Sequence, residues 1–347
     1  MNFFERIEAN LLTDDPVVQE FVLESLHDYP NVDKKWVERL LKEAVINDIK
    51  RDLILIYCPV DSEHEEVIPL VMDGLQNTPN ESKHLYVNII DKLSPAILWK
   101  YKELLAPFYT EEEWSLYDVL VNGEERKVFA VFNELIERLN NEQAFNGNLY
   151  RMAKKTAYIL VKKQWITDNE LESIFISNLQ NEWFQYDGYL AIYMIGLMKN
   201  ERYIQQLTQL LVRDDDILLD EVAFALIFMQ KEAVVDAVAP FLIKEESCIF
   251  ATSIVENYKT DYANKVLKNA YYSADGEDSR AMIIEALAHQ LNGPASQELN
   301  EYVSERPETF LFSVADLAYS YYKIIDESHP LMNEWINIIN QERNGAS

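Results

Sequence analysis

Five histidines, His27, His64, His84, His289 and His329, are scattered through the 347-residue chain. None stands in an H-E-x-x-H or paired-cysteine arrangement. The nearest approach to a metal cluster is Glu63-His64-Glu65-Glu66. On a helix Glu63 and Glu66 would share a face and His64 would point elsewhere, so an acidic first helical turn explains the run better than a metal site. Asp214-Asp215-Asp216, with Asp220 and Glu221, form a second acid-rich run. It lacks the glycine and terminal glutamate of a calcium loop. An acidic helix N-terminus accounts for it, and its functional reading is a docking patch for a basic partner. Trp183, Phe184, Tyr186, Tyr189 and Tyr193 make an aromatic cluster in which Tyr186, Tyr189 and Tyr193 fall on one helical face. Core packing with hydroxyls at the rim is its plain reading; a concave surface for a peptide or ligand is the functional one. Nucleophile motifs, phosphate-cradling loops and the dinucleotide fingerprint are missing, and 8 glycines leave such loops few places to sit. The expectation is no catalytic, cofactor or metal residue. The candidate partner-binding set is Trp183, Tyr186, Tyr189, Tyr193, Asp214, Asp215, Asp216 and Asp220.

Charge narrows the partners. With 31 basic and 59 acidic residues the formal net charge is −28. Such a surface repels phosphate backbones and anionic membranes, so nucleic-acid and membrane partners are not expected, and a protein with a basic patch is. The densest basic cluster, Arg151, Lys154, Lys155, Lys162 and Lys163, reads as the solvated face of one helix. Cys58 and Cys248 sit in apolar contexts without metal-like spacing, which fits free thiols in a reducing compartment. The N-terminal MNFFERIEANLL lacks the basic start of a secretory signal, and no run approaches the ~18 apolar residues of a membrane span. These readings together predict a cytoplasmic protein.

The elements that must hold these residues read as helices. The chain is 48% hydrophobic, a folded composition, and glycine and proline are scarce. Asp14 or Asp15 caps a helix over 16–28 with Pro16 at its first position, and Asp33 caps 33–46. RDLILIYCPV is β-prone, yet its neighbours are helical and no partner strand is in sight, so a buried helix is expected there. Further helices fit 62–77, 81–93, 95–105, 110–121 and 124–140, and Thr110 followed by Glu111, Glu112 and Glu113 makes a cap with an acidic first turn. Residues 140–148 are the best candidate for a joint between a divergent half, 1–140, and a clearer half, 148–342. In the second half helices pair: 148–164 with 168–180, 186–199 with 201–212, 215–229 with 231–243, 246–257 with 260–272, 278–291 with 294–304, and 308–324 with 329–342. A small residue recurs in each first helix: Ala157, Ala191, Ala223, Ala251, Ala286 and Ala315. Spacings in the low thirties fit two-helix solenoid units, and the small residue lets adjacent repeats approach. Glu285, beside Ala286, is expected on a more polar face.

DILLDEVAFALIFM followed by EAVVDAVAPFLI, and EDSRAMIIEALAHQL later, resemble HEAT-like repeats over about 148–342. The Trp, Leu-Gly and Tyr signature of tetratricopeptide repeats is missing. The resemblance implies a single all-α, right-handed superhelix of antiparallel helix pairs over 1–347, whose groove binds other macromolecules. Some HEAT-like proteins are enzymes that act on DNA bases or attach tetrapyrroles to proteins, and fold alone does not choose between these. The expected function is a non-catalytic interaction scaffold for a protein partner. The alternative is an enzyme of HEAT-like lyase or hydrolase type with its site in the groove.

Overall fold

The computed structural model describes residues 1–291, 295–307 and 309–345. It is all-α: 73% of it is helix and no strand occurs among the described residues. In chain order the α-helices are α1 (Phe3–Asn10), α2 (Pro16–Glu24), α3 (Lys34–Ile46), α4 (Arg51–Tyr57), α5 (Val67–Asn77), α6 (Lys83–Asp91), α7 (Pro95–Lys100), α8 (Lys102–Leu105), α9 (Glu111–Asn122), α10 (Glu125–Asn141) and α11 (Gly147–Lys162). They continue with α12 (Asp168–Leu179), α13 (Tyr186–Leu197), α14 (Ile204–Gln209), α15 (Asp216–Met229), α16 (Glu232–Val238), α17 (Cys248–Glu256), α18 (Asp261–Ser273), α19 (Glu277–Gln290), α20 (Ser296–Ser304), α21 (Val314–Ile325) and α22 (Met332–Gly345). The helix starts expected at 294 and 308 lie outside the described residues.

Local chemistry starts many of these helices where the sequence places it. The Asp15 carboxylate accepts from the Val17 and Val18 amides with Pro16 at the first position, and Asp33 caps α3. Thr110 with Glu113, and Thr167 with Glu170, close reciprocal capping boxes. The β-prone RDLILIY stretch is α4, with Ile54 and Leu55 buried. The helix expected from 62 begins only at Val67. Residues 61–66 instead form a turn, with His64 fully buried.

Two compact units share these helices: Met1–Pro59 with Pro69–Leu85 and Gln230–Ser347, and Val60–Ile68 with Tyr86–Met229. Residues 140–148 fall inside the second. Within each, helices pack in series on near neighbours, a solenoid-like arrangement. In the second unit α11, α13 and α15 lie side by side, with α12 packed on α13 and α14 on α15. α13 and α15 approach closely at Gly196, where a Cβ would lie 2.6 Å from the Ala225 Cα and 2.9 Å from its Cβ. Ala157, Ala191 and Ala223 are buried along the same helices.

Several helix ends share one backbone feature. A left-handed residue follows α11, α13, α15, α19, α20 and α21, at Gln164, Lys199, Gln230, Leu291, Arg306 and Asp326. After Gln164, Lys199 and Asp326 the next amide reaches back to close the turn, Trp165 to Leu160 at 2.9 Å, Asn200 to Ile195 at 3.3 Å and Glu327 to Tyr322 at 3.1 Å. Glycine is the usual residue here, and a side chain at this conformation costs about 1–2 kcal/mol.

The first unit joins distant parts of the chain. α2 packs on α19 and α21, and α1 on α21. Val17, Val18, Phe21 and Val22 of α2 are buried, so α2 covers apolar surface of α19 and α21. Polar bonds fix the contact: Arg6 donates to the Leu291 carbonyl at 2.7 Å, and the Tyr319 hydroxyl donates to Asp15 at 2.5 Å. A cluster of ionisable groups is enclosed with it. His289 Nδ1 is 2.9 Å from Glu256, its Nε2 is 4.0 Å from Glu24, and Lys259 donates to the His289 carbonyl at 3.3 Å. Glu285 belongs to this cluster, which corrects its expected polar face: burial pushes its carboxyl up to about 7, against the opposing pull of His289.

Candidate functional site

One face of α11 carries Tyr150, Arg151, Lys154, Lys155 and Tyr158, spaced so that all five meet the same side of the helix. They line a cleft of about 540 Å³ within the second unit, with Asp91, Ser62, Tyr193, Asp220 and Glu221 among its other walls. The basic cluster is thus no solvated face over its first half. Lys155 is 7% exposed. Its ammonium donates to the carbonyls of Asp91 at 3.0 Å and Leu93 at 2.6 Å. α6 ends at Asp91, and the last carbonyls of a helix lack intrahelical partners and carry partial negative charge. Burying an ammonium still costs several kcal/mol. Burial accordingly lowers the Lys155 pKa to about 8, with Asp91 opposing and Arg151 assisting.

Arg151 and Lys154 are held by carboxylates from other helices. Arg151 pairs with Asp91, with Glu113 at 3.0 Å and with Asn148 at 2.7 Å. Asp91 also accepts from the Tyr109 hydroxyl at 2.7 Å. Glu113 serves both the α9 capping box and Arg151, so one carboxylate ties a helix start to the cleft. Lys154 donates to Glu221 Oε1 at 2.7 Å, and the Tyr150 hydroxyl donates to the same oxygen at 3.0 Å. Glu221 is 3% exposed, and its Oε2 is buried with no hydrogen-bond partner among the described residues. Three rings surround the Lys154 ammonium: Tyr193 at 4.4 Å from its centroid, Phe224 at 5.4 Å and Tyr150 at 5.9 Å. Tyr158 donates to Glu63. Burial raises the pKa of all three cleft tyrosines, so they stay protonated as donors at neutral pH.

A scan against protein-family models finds no match for this chain, and a search of curated proteins finds no similar one. The site therefore has to be read from its own geometry.

The residues singled out in the sequence divide around the cleft. Tyr193 and Asp220 line it. Tyr186 packs against Tyr189 at 5.7 Å and Tyr150 at 5.9 Å between ring centroids. The Tyr189 hydroxyl donates to Asp215 at 2.7 Å, which joins the aromatic cluster to the acidic run, and Asp215 also accepts from the Leu218 amide at 3.1 Å near the start of α15. Trp183, Asp214 and Asp216 are exposed and are not among the lining residues. The Glu63-His64-Glu65-Glu66 run divides between partners: Glu63 meets Tyr158 and lies 3.6 Å from Lys162, and Glu65 meets Lys100 at 2.6 Å and Tyr101 at 2.7 Å. Among the described residues no group of three or more His, Cys, Asp or Glu is placed to hold a metal ion. Sequence reasoning did not assign Tyr150, Lys154, Tyr158, Asp91 and Glu221 to a common site. One signal was available: Tyr150, Lys154 and Tyr158 follow at intervals of four and share a helical face.

Proposed function

We propose that this protein is a non-catalytic, HEAT-like interaction scaffold that receives a basic segment of a partner protein in the cleft of its second unit. Glu221 carries the reading: one oxygen of a buried carboxylate has no hydrogen-bond partner among the described residues, in a cleft lined by tyrosines. An acceptor left unsatisfied in a buried site favours a ligand that brings a donor, and a cation with aromatic neighbours brings most. The net charge of −28 supports the same polarity of partner by steering cations toward the protein and repelling nucleic acid. Two cysteines, both buried, fit a cytoplasmic setting.

A second reading, an enzyme with its chemistry in the same cleft, is favoured by Lys155. With a pKa of about 8 roughly a tenth of its amine is neutral at pH 7. Its donation to two carbonyls argues against it, because both bonds hold the protons in place.

The test is a labelled peptide carrying two arginines, titrated by fluorescence polarisation at ~0.15 M salt against the same peptide with glutamates in their place. Only the basic peptide is expected to bind, and Glu221→Gln is expected to weaken it about 30-fold or more, since losing one partner of a buried charge pair costs ~2–5 kcal/mol. That variant removes one charge from a protein at −28, so equal binding by Glu221→Gln would reduce the interaction to nonspecific attraction and reject the cleft.

A further inference from the structure

Lys154 occupies the position that a partner's cation would need. Its ammonium lies inside the box of Tyr193, Phe224 and Tyr150 and bonds one oxygen of Glu221. The box is assembled from three helices that lie side by side: Tyr150 and Lys154 from α11, Tyr193 from α13, and Phe224 and Glu221 from α15. Aromatic faces around a carboxylate form a recognition site for an ammonium or guanidinium group. A core of that composition has no packing advantage over apolar residues of similar size.

The resident is also a poor fit. It uses Glu221 Oε1, which it shares with the Tyr150 hydroxyl, and leaves Oε2 without a hydrogen bond. The Lys154 side chain is 31% exposed against 4% for Glu221, so the lysine stem reaches the solvent side while the carboxylate is enclosed.

We infer that the box is a binding site for one basic side chain of a partner protein, and that Lys154 is a displaceable internal occupant which the guest replaces. The inference rests on the proposed reading of the cleft and adds its chemistry. The exchange conserves charge at Glu221: one cation leaves for water as another arrives. A guanidinium gains most, because its planar fork spans both carboxylate oxygens and reaches the one Lys154 leaves unbonded. The resident lowers the apparent affinity of every guest by the fraction of time it fills the box.

The experiment compares wild type, Lys154→Ala and, as a control for lost charge on the same helix, Lys162→Ala. Each is titrated with peptides identical except for a central arginine, lysine or glutamine. Lys154→Ala is expected to bind the arginine and lysine peptides about 10-fold more tightly than wild type, arginine ahead of lysine, without gain for glutamine; Lys162→Ala is expected to match wild type. If wild type binds basic peptides and Lys154→Ala binds them no better, the occupant is refuted and the reading of the cleft stands. If none of the three binds a basic peptide, both fall. A second measurement covers a destabilised variant: ethylammonium chloride is expected to raise the Tm of Lys154→Ala by roughly 2–4 °C over sodium chloride of equal strength, by filling the vacated box. Equal Tm in the two salts would overturn the inference.

Discussion

Gly196→Ala is expected to destabilise the second unit even though alanine is the better helix former. The added Cβ would sit 2.6 Å from the Ala225 Cα and 2.9 Å from its Cβ, with Phe224 at 3.3 Å. The first contact is backbone, so no rotamer change relieves it, and α13 and α15 must part. Alanine recovers about 1 kcal/mol of helix propensity over glycine. Overpacking of a tight core costs about 1–3 kcal/mol and strain against backbone lies at the upper end, so the net is a loss of roughly 1–2 kcal/mol. A drop in Tm of about 2–8 °C follows. Gly147 makes the contrast, since a Cβ there would meet only Phe145, at 3.6 Å, and Gly147→Ala should leave the Tm nearly unchanged. The Gly196 effect also reaches the cleft: Tyr193 sits on α13, and Phe224 and Glu221 on α15, so separating the helices opens the box around Lys154. A Gly196→Ala protein with wild-type Tm and peptide affinity would show that the approach of α13 and α15 is not a constraint.

Stability should depend on pH through the cluster in the first unit. Glu285 has its carboxyl raised to about 7, chiefly by burial, and Glu24 is raised by burial as well. His289 is raised too; burial opposes this, and the carboxylates of Glu256, Glu285 and Glu24 overcome it. A folded pKa above the unfolded one contributes stability that is full below the unfolded value and lost as pH rises through the folded value. All three groups therefore lose stability as pH rises, Glu285 between about 4.5 and 7. Two groups run the other way. Glu256 is lowered by His289 and Lys259 against burial, so its contribution is lost only as pH falls below the usual carboxylate range. Lys259 is lowered to about 8 by burial, so its cost is complete below that pH and is relieved only above it. Between pH 5 and 7.5 the falling groups dominate. Glu285→Gln should flatten that slope and be about 3 kcal/mol more stable than wild type near pH 7.5, the difference shrinking to below about 1 kcal/mol near pH 5. Urea unfolding of both proteins across this range measures the difference, and parallel curves would remove Glu285 from the account.

Local chemistry was legible in the sequence because it needs only neighbours. Asp15 before Pro16, and Thr110 three residues ahead of Glu113, identify helix starts whatever the tertiary structure. The recurrent alanines all fall in helices and are buried, and the helical reading of RDLILIY rested on the consistency of its surroundings. What covers a helical face is a different question, and periodicity does not answer it. Arg151, Lys154 and Lys155 resembled a solvated stripe because their partners lie far along the chain, at Asp91 and Glu221. Glu285 misled for the same reason: Glu24 and Glu256, which share its cluster, sit on α2 and α17. The docking of α2 on α19 and α21 left no local trace either, since an amphipathic helix advertises an apolar face but not the surface that buries it.

The central claim, that the cleft of the second unit receives a basic segment, is tested most directly by hydrogen exchange on the protein saturated with the two-arginine peptide. Exchange should slow in α11, α13 and α15, the helices that supply Tyr150, Lys154, Tyr193 and Glu221, and the slowing should disappear in Glu221→Gln. Slowing confined to the first unit, or the same pattern in both proteins, would contradict the claim.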